Sequence, residues 1–272
     1  MNNLTVRVLF ALFAMPTFAA AAYAGKWGHL GIMMLLTVGG AWEYARMVQA
    51  KYPLPGVTIV SVLATIGMTY TMGVTHHASV PLSIFALGLF LIIGLSFKKQ
   101  SIEEIFPSIA IQGFGLFFFG IWTNLSMPLF NEAWGWKGCL AFLFVATSMW
   151  ACDSGAYFAG KFLGKRKMCP QISPKKTWEG AIGGAISCLV WAYFVGAQML
   201  EVPQWAALVI GLLLSVTAPI GDLLFSCMKR YTGIKDSSNI FPGHGGVLDR
   251  FDSLFLSAPV VALLLLMTKE YL

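Results

Sequence analysis

Charge is what this chain has least of. Of its 272 residues only 11% are Asp, Glu, Lys or Arg and 57% are hydrophobic, where a soluble domain carries about a quarter charged residues. With a mean hydropathy of +0.73, most of the surface cannot face water, which excludes a soluble enzyme. Paired cysteines are also missing. Cys139, Cys152, Cys169, Cys188 and Cys227 are odd in number, scattered and without CxxC spacing, which excludes a disulfide framework and a zinc site. They read as small buried hydrophobes. No stretch is dense enough in Pro, Ser or charge to be a disordered tail or linker. No internal repeat is visible, which speaks against an inverted-repeat transporter.

What is present is apolar sequence in blocks. Nine stretches, near 5–24, 28–47, 56–74, 79–97, 106–124, 138–159, 180–200, 204–228 and 253–268, each approach the roughly 20 residues that span a bilayer. The first is ambiguous, because Arg7, an apolar run and Ala22-Tyr23-Ala24-Gly25 also fit a secretory signal. The lack of a further basic segment, and the next span following at once, favour a retained helix. A cytoplasmic N-terminus places 15 of the 18 Lys and Arg residues inside, leaving Lys26, Lys137 and Lys269 outside, a bias that sets orientation. The expectation is an all-α integral membrane protein. It would be a single polytopic domain over 1–272 with about nine transmembrane helices, N-terminus cytoplasmic and C-terminus outside. Seventeen of the 30 charged residues lie between Asp153 and Asp252. Residues 1–137 therefore read as scaffold, and 138–272 as a catalytic half with two cytoplasmic loops. The net charge of +6 fits this topology and nearby anionic phosphates, not nucleic acid.

Within the catalytic half, a carboxylate inside an apolar helix marks function by default. Asp222, Ser226, Lys229 and Arg230 follow i, i+4, i+7, i+8 spacing and share one helix face. The bland alternative is an internal salt bridge with snorkelling cations. The following loop favours chemistry: Lys235-Asp236, then Pro242-Gly243-His244-Gly245-Gly246, then Asp249-Arg250-Phe251-Asp252. Dense glycine lets backbone N–H groups approach an anion. The pair Asp249 and Asp252 on one turn offers oxygen ligands that suit Mg²⁺, which takes one or two carboxylates plus substrate phosphates. A second cluster places Asp153, Tyr157, Gly160, Lys161 and Gly164 at helical spacing, with small residues that admit a close neighbour. It continues through the basic run Lys165 to Lys167 into Ser173-Pro174-Lys175-Lys176-Thr177-Trp178-Glu179-Gly180. Ser173 is expected to cap a helix with Pro174 at its first position, directing Lys175 and Lys176 to a positive helix end. Glu43 reads as a carboxylate that bonds neighbouring helices. His76 and His77, with no partner carboxylate nearby, do not read as a metal site.

The run Ser226-x-x-Lys229-Arg230-x4-Lys235-Asp236-x5-Pro242-Gly243-His244-Gly245-Gly246-x-x-Asp249-Arg250-x-Asp252 resembles the signature of bacterial phosphatidate cytidylyltransferases (CDP-diacylglycerol synthases), with its spacing intact over 27 residues. The Asp153-x-Gly155-Ala156-Tyr157 and Ser173–Gly180 segments resemble the family's second conserved region, with Ser154 where Thr is more usual. The detailed resemblance covers roughly 150–252. It implies an inner-membrane enzyme, its active site facing the cytoplasm, that joins CTP and phosphatidic acid into CDP-diacylglycerol and pyrophosphate. It further implies Mg²⁺, a second cation such as K⁺, and a homodimer. By position it makes Asp222 and Asp249 the metal ligands, and gives catalytic roles to Asp222, Asp249, Asp252, Lys229 and Arg230. Ser226, Lys229 and Arg230 would hold phosphates, and His244, Gly245 and Gly246 would line the nucleotide site. Lys235, Asp236, Arg250, Lys175, Lys176, Asp153 and Tyr157 complete the expected substrate contacts. Two rivals remain on the residues alone. A CTP-dependent lipid kinase would transfer the γ-phosphoryl group, and an ion-coupled transporter would use Asp153 and Asp222 as ion sites. A CDP-alcohol phosphotransferase lacks support because its Asp-x3-Asp spacing is absent.

Overall fold

The computed structural model describes residues 20–21, 23–75, 78–98, 101–130, 136–241 and 245–269. Most of the first expected span, along with His76, His77 and His244, lies outside them. Six segments among the described residues are long and apolar enough to cross a membrane: Gly56–Val74, Ser79–Ser96, Ile102–Met127, Trp178–Leu200, Gln204–Tyr231 and Val247–Met267. They fall on six of the nine expected spans. Helices α1 (Lys26–Gln49) and α5 (Trp136–Leu163) cover two more.

The chain divides into two compact units, Met1–Met127 with Tyr231–Arg250, and Pro128–Arg230 with Phe251–Leu272. In the first, α1 packs on α2 (Pro55–Val74), α2 on α3 (Ser79–Ser96), and α3 on α4 (Ile102–Phe117). Proline opens α2, where its missing N–H costs nothing, and the Ser101 hydroxyl caps α4 by accepting from Glu103 N at 3.2 Å. Val57, Ala64, Met68, Ile92 and Leu116 form the apolar core. Buried polar groups join the helices beside it. The Tyr44 hydroxyl donates to the Ile111 carbonyl (2.8 Å), Thr37 bonds Thr69 (2.9 Å), and Asn124 Nδ2 donates to Thr69 Oγ1 (3.0 Å). After α4 the backbone widens into a π-turn over Phe118–Trp122. There the Thr123 hydroxyl donates five residues back to the Phe118 carbonyl.

In the second unit α5 packs along α6 (Trp178–Trp191) through a seam of small residues. A Cβ on Gly155 would meet the Ser187 side chain and, at 2.7 Å, the Gly183 carbonyl, and one on Gly184 would meet the Cys152 carbonyl at 2.8 Å. The small-residue spacing read from the sequence is thus a helix–helix contact. Gly164, expected on the same face, lies just beyond the end of α5 and donates to the Gly160 carbonyl at 3.2 Å. A π-turn (Ala192–Gly196), the short α7 (Ala197–Leu200) and a left-handed Glu201 (φ 53°) lead into α8 (Gln204–Tyr231). The last helix, α9, is Val247–Lys269. α8 meets α9 at Gly221, where a Cβ would lie 2.9 Å from the Asp252 carbonyl.

The structure is mostly helical, as expected of an all-α membrane protein, but one expectation is corrected between α5 and α6, where a short hairpin pairs β1 (Lys167–Cys169) antiparallel with β2 (Ser173–Thr177). Ser173 therefore does not cap a helix, and Pro174 lies in a strand. The helix starts at Trp178, with the Thr177 hydroxyl accepting from Gly180 N at 3.1 Å. The reason lies in partners distant in sequence. Glu179 accepts from the Lys165 and Arg166 amides at 3.0 and 3.1 Å, and the Trp178 amide donates to the Arg166 carbonyl. These bonds return the basic run alongside 173–177 and make a hairpin the better use of its backbone groups.

Candidate active site

In the second unit three lysines border one cavity of about 360 Å³. It is lined by Asp153, Tyr157 and Lys161 of α5, Lys175 and Lys176 of β2, and Pro219 of α8. Lys176 carries the connection. Its Nζ lies 2.6 Å from Asp222 Oδ2 and 3.4 Å from the Pro219 carbonyl, so the two motifs noted separately in the sequence meet through one ion pair. The hairpin makes this possible by presenting Lys176 as part of an extended strand. Asp222 Oδ1 in turn accepts from the Ser226 hydroxyl at 3.1 Å, one helical turn on, as their spacing predicts. Asp153, Asp222 and Asp252 interact electrostatically, with Lys176 and Lys229 as countercharges. Asp252 Oδ1 also accepts from the Ser253 amide at 2.7 Å. Lys229 is half-buried and Arg230 exposed at the end of the same helix face.

The glycine-rich loop belongs to the first unit, and among its described residues the Gly245 and Gly246 amides already have partners. Asp249 Oδ2 accepts from the Gly246 amide (2.9 Å), the Ser237 amide (2.8 Å) and the Ser237 hydroxyl (2.9 Å). The bond from Gly246 back to Asp249, three residues on, caps the start of α9 in the manner of a capping box. Glu43, wholly buried in α1, accepts from the Val247 and Leu248 amides at 2.9 Å each and from the hydroxyls of Ser237 and Ser238 at 2.7 and 2.5 Å. Gly246 has no room for a side chain, since its Cβ would meet Ser237 Oγ and both Glu43 oxygens. Gly245 takes a left-handed φ of 85°, which favours glycine. Close approach of backbone N–H groups to an anion is realised here, with Glu43 and Asp249 as the anions. Lys235, Asp236 and Arg250 lie exposed around the same loop.

Sequence reasoning missed two contributions. Glu43 does bond a neighbouring helix, at the start of α9, but its bonds to the loop before that helix have no signal in the sequence. Ser237 and Ser238 gave no signal at all, because loop serines are ordinary.

Among the described residues no group of three or more His, Cys, Asp or Glu side chains is arranged to hold a metal ion. Mg²⁺ needs no such cage, since one or two carboxylates with water and substrate phosphates suffice. Asp222 offers one such carboxylate, its Oδ1 accepting from Ser226 and its Oδ2 paired with Lys176, so it fits the ion where substrate phosphates supply further oxygen ligands and draw the ammonium to themselves.

A family model described as the cytidylyltransferase family matches residues 5–268. The chain belongs to the cytidylyltransferase family. It is similar to the phosphatidate cytidylyltransferase of Bacillus subtilis (strain 168), 50% identical over 128 residues that make up 46% of this chain and 48% of that one. It also resembles those of Synechocystis sp., 31% identical over 94% of each chain, and Haemophilus influenzae, 32% identical over 94% of this chain and 93% of the other. The first of these alignments spans about half of the relative's length, and the other two run nearly end to end.

Proposed function

We propose that this cytidylyltransferase transfers the cytidylyl group of CTP to phosphatidic acid, giving CDP-diacylglycerol and pyrophosphate. The observation that carries the reading is the Lys176–Asp222 ion pair beside a cavity lined by Asp153, Tyr157, Lys161 and Lys175. It joins cations suited to phosphates with a carboxylate suited to a metal. The near full-length likeness to phosphatidate cytidylyltransferases supplies the substrate class.

Phosphatidate is already an oxyanion at neutral pH, so no general base is required. Its phosphate oxygen bonds to the α-phosphorus of CTP as the bond from that phosphorus to the bridging oxygen breaks, and pyrophosphate leaves with the electron pair. The obstacle is bringing two polyanions together in line. Lys176, Lys175, Lys161, Lys229 and Arg230 lower it by binding the phosphate oxygens, and Ser226 donates to them or to Asp222. Lys235, Asp236, Arg250 and His244 with its glycines are the proposed nucleotide contacts, and Asp252 holds the charge balance beside Asp222. Asp222 and Asp249 are the proposed Mg²⁺ ligands, and the ion when bound supplies charge neutralisation at the reacting phosphates. A second cation such as K⁺ and a homodimer complete the proposal. So does residence in a bacterial inner membrane with the site facing the cytoplasm, which matches the distribution of Lys and Arg.

The test is a purified preparation given phosphatidic acid, Mg²⁺ and CTP labelled at either the α- or γ-phosphate. Label from the α position in lipid is the expected result. Label from the γ position would make the protein a lipid kinase, and no transfer by a folded preparation would overturn both.

A further inference from the structure

The signature loop is held at both ends by the C-terminal part of α1 and the residues just after it. At its start, Tyr231 receives three contacts from Lys51 and Tyr52. Lys51 Nζ sits 3.5 Å over the Tyr231 ring and donates to the Tyr231 carbonyl (3.3 Å), and the Tyr52 and Tyr231 hydroxyls bond at 2.7 Å. At its end, Glu43 accepts from Ser237, Ser238, Val247 and Leu248. A buried carboxylate is costly unless its lone pairs are used, and the two amides, Ser238 and the shared Ser237 hydroxyl use them. The negative charge also sits at the positive N-terminus of α9.

Ser237 makes the arrangement directional. Its hydroxyl is 2.7 Å from Glu43 Oε2 and 2.9 Å from Asp249 Oδ2, yet it has one proton and can donate to only one of them. The amide of Ser237 donates to Asp249 in any case. Glu43 and Asp249 are therefore coupled through a single side chain, and the position of Asp249 depends on a residue some 200 positions earlier in the chain. Gly246, which donates to Asp249, is itself packed directly on Glu43.

We infer that Glu43 is a positioning residue of the transferase site, fixing the 237–249 loop and thereby the carboxylate of Asp249. A glutamine at 43 keeps the shape but, whichever way it is turned, sets its NH₂ against the Val247 or the Leu248 amide, so at least one bond becomes a repulsion. The inference rests on the role proposed for Asp249, and the first readout is chosen not to depend on it.

The test is hydrogen–deuterium exchange of the purified full chain without substrate, paired with kinetics on CTP and phosphatidic acid, for E43Q, S237A and S238A. In E43Q the amides of Gly246, Val247 and Leu248 should lose protection while α2 and α3 keep theirs. kcat/KM should fall about 10–100-fold, the range seen when an outer partner of a metal ligand is removed. The two serine variants should show the same change in smaller measure. If E43Q does not fold, the serine variants decide alone. Wild-type protection and wild-type kinetics in a folded E43Q, or in both serine variants, would overturn the inference. Lost protection with unchanged kinetics would keep Glu43 as a loop brace and overturn its link to the reaction. Inactive wild-type protein with the exchange pattern as expected would instead refute the proposed reaction.

Discussion

Replacing Lys176 by Met separates the cost of folding from the cost of chemistry. The ammonium lies 2.6 Å from Asp222 Oδ2, with side-chain exposures of 26% and 36%. A pair that open to solvent behaves more like a surface ion pair than a buried one, so its loss should cost stability no more than about 1 kcal/mol. In a chain of this size that lowers the melting temperature by roughly 2–4 °C. The effect on turnover should be much larger. A preorganised charge aimed at developing negative charge is worth about 2.7–4 kcal/mol, or 10²–10³ in kcat. The assay is α-labelled CTP transfer to lipid at saturating substrates, alongside thermal unfolding in the same detergent. Lys176→Met should melt within a few degrees of wild type and lose on the order of a hundredfold in kcat. In melting temperature, Asp222→Asn added to it should cost less than the sum of the two single changes, because they remove the same interaction. A Lys176→Met protein within threefold of wild-type kcat, or full additivity with Asp222→Asn in melting temperature, would refute the argument.

Other outcomes follow from the same geometry. Asp222→Asn and Asp249→Asn should each abolish cytidylyl transfer and leave a folded, membrane-inserted protein, and chelation of Mg²⁺ should stop the wild type reversibly. Most of the activity surviving in both variants would remove the metal-ligand assignment. Gly155→Ala should destabilise the α5–α6 seam by about 1–3 kcal/mol, read as a lower melting temperature, since its Cβ would press on Ser187 and the Gly183 carbonyl. The hydrogen bond to Tyr231 pushes the Tyr52 phenol up to about 12. The stabilisation from that bond should be complete below the ordinary tyrosine value of about 10 and disappear as pH rises through about 12. Phenolate absorbance of wild type against Tyr52→Phe measures it, and an ordinary titration would contradict the pairing.

The parts of the site legible from sequence are those whose spacing is local. Asp222 and Ser226 are one turn apart and do bond. The glycines flanking Asp153 and Gly180 do form a close helix contact. The hairpin was not legible, because Ser-Pro is an equally good helix start until the Lys165 and Arg166 amides find Glu179. Nor was the partnership of Lys176 with Asp222, or that of Glu43 with a loop near the other end of the chain, since no periodicity relates residues that far apart.

By itself, then, the sequence determined the medium, the blocks of helix and the chemical class of the site. Low charge and runs of about 20 apolar residues admit few structures other than membrane helices, and carboxylates with cations in such a setting are too costly to be idle. Only the tertiary structure decided which charges meet. Lys176 neutralises Asp222, and Glu43 and Asp249 occupy the backbone amides that the glycine loop exposes. The physical reason is that a charge in a mainly apolar fold pairs with whatever complementary group packing brings within about 3 Å, and packing is a property of the whole fold.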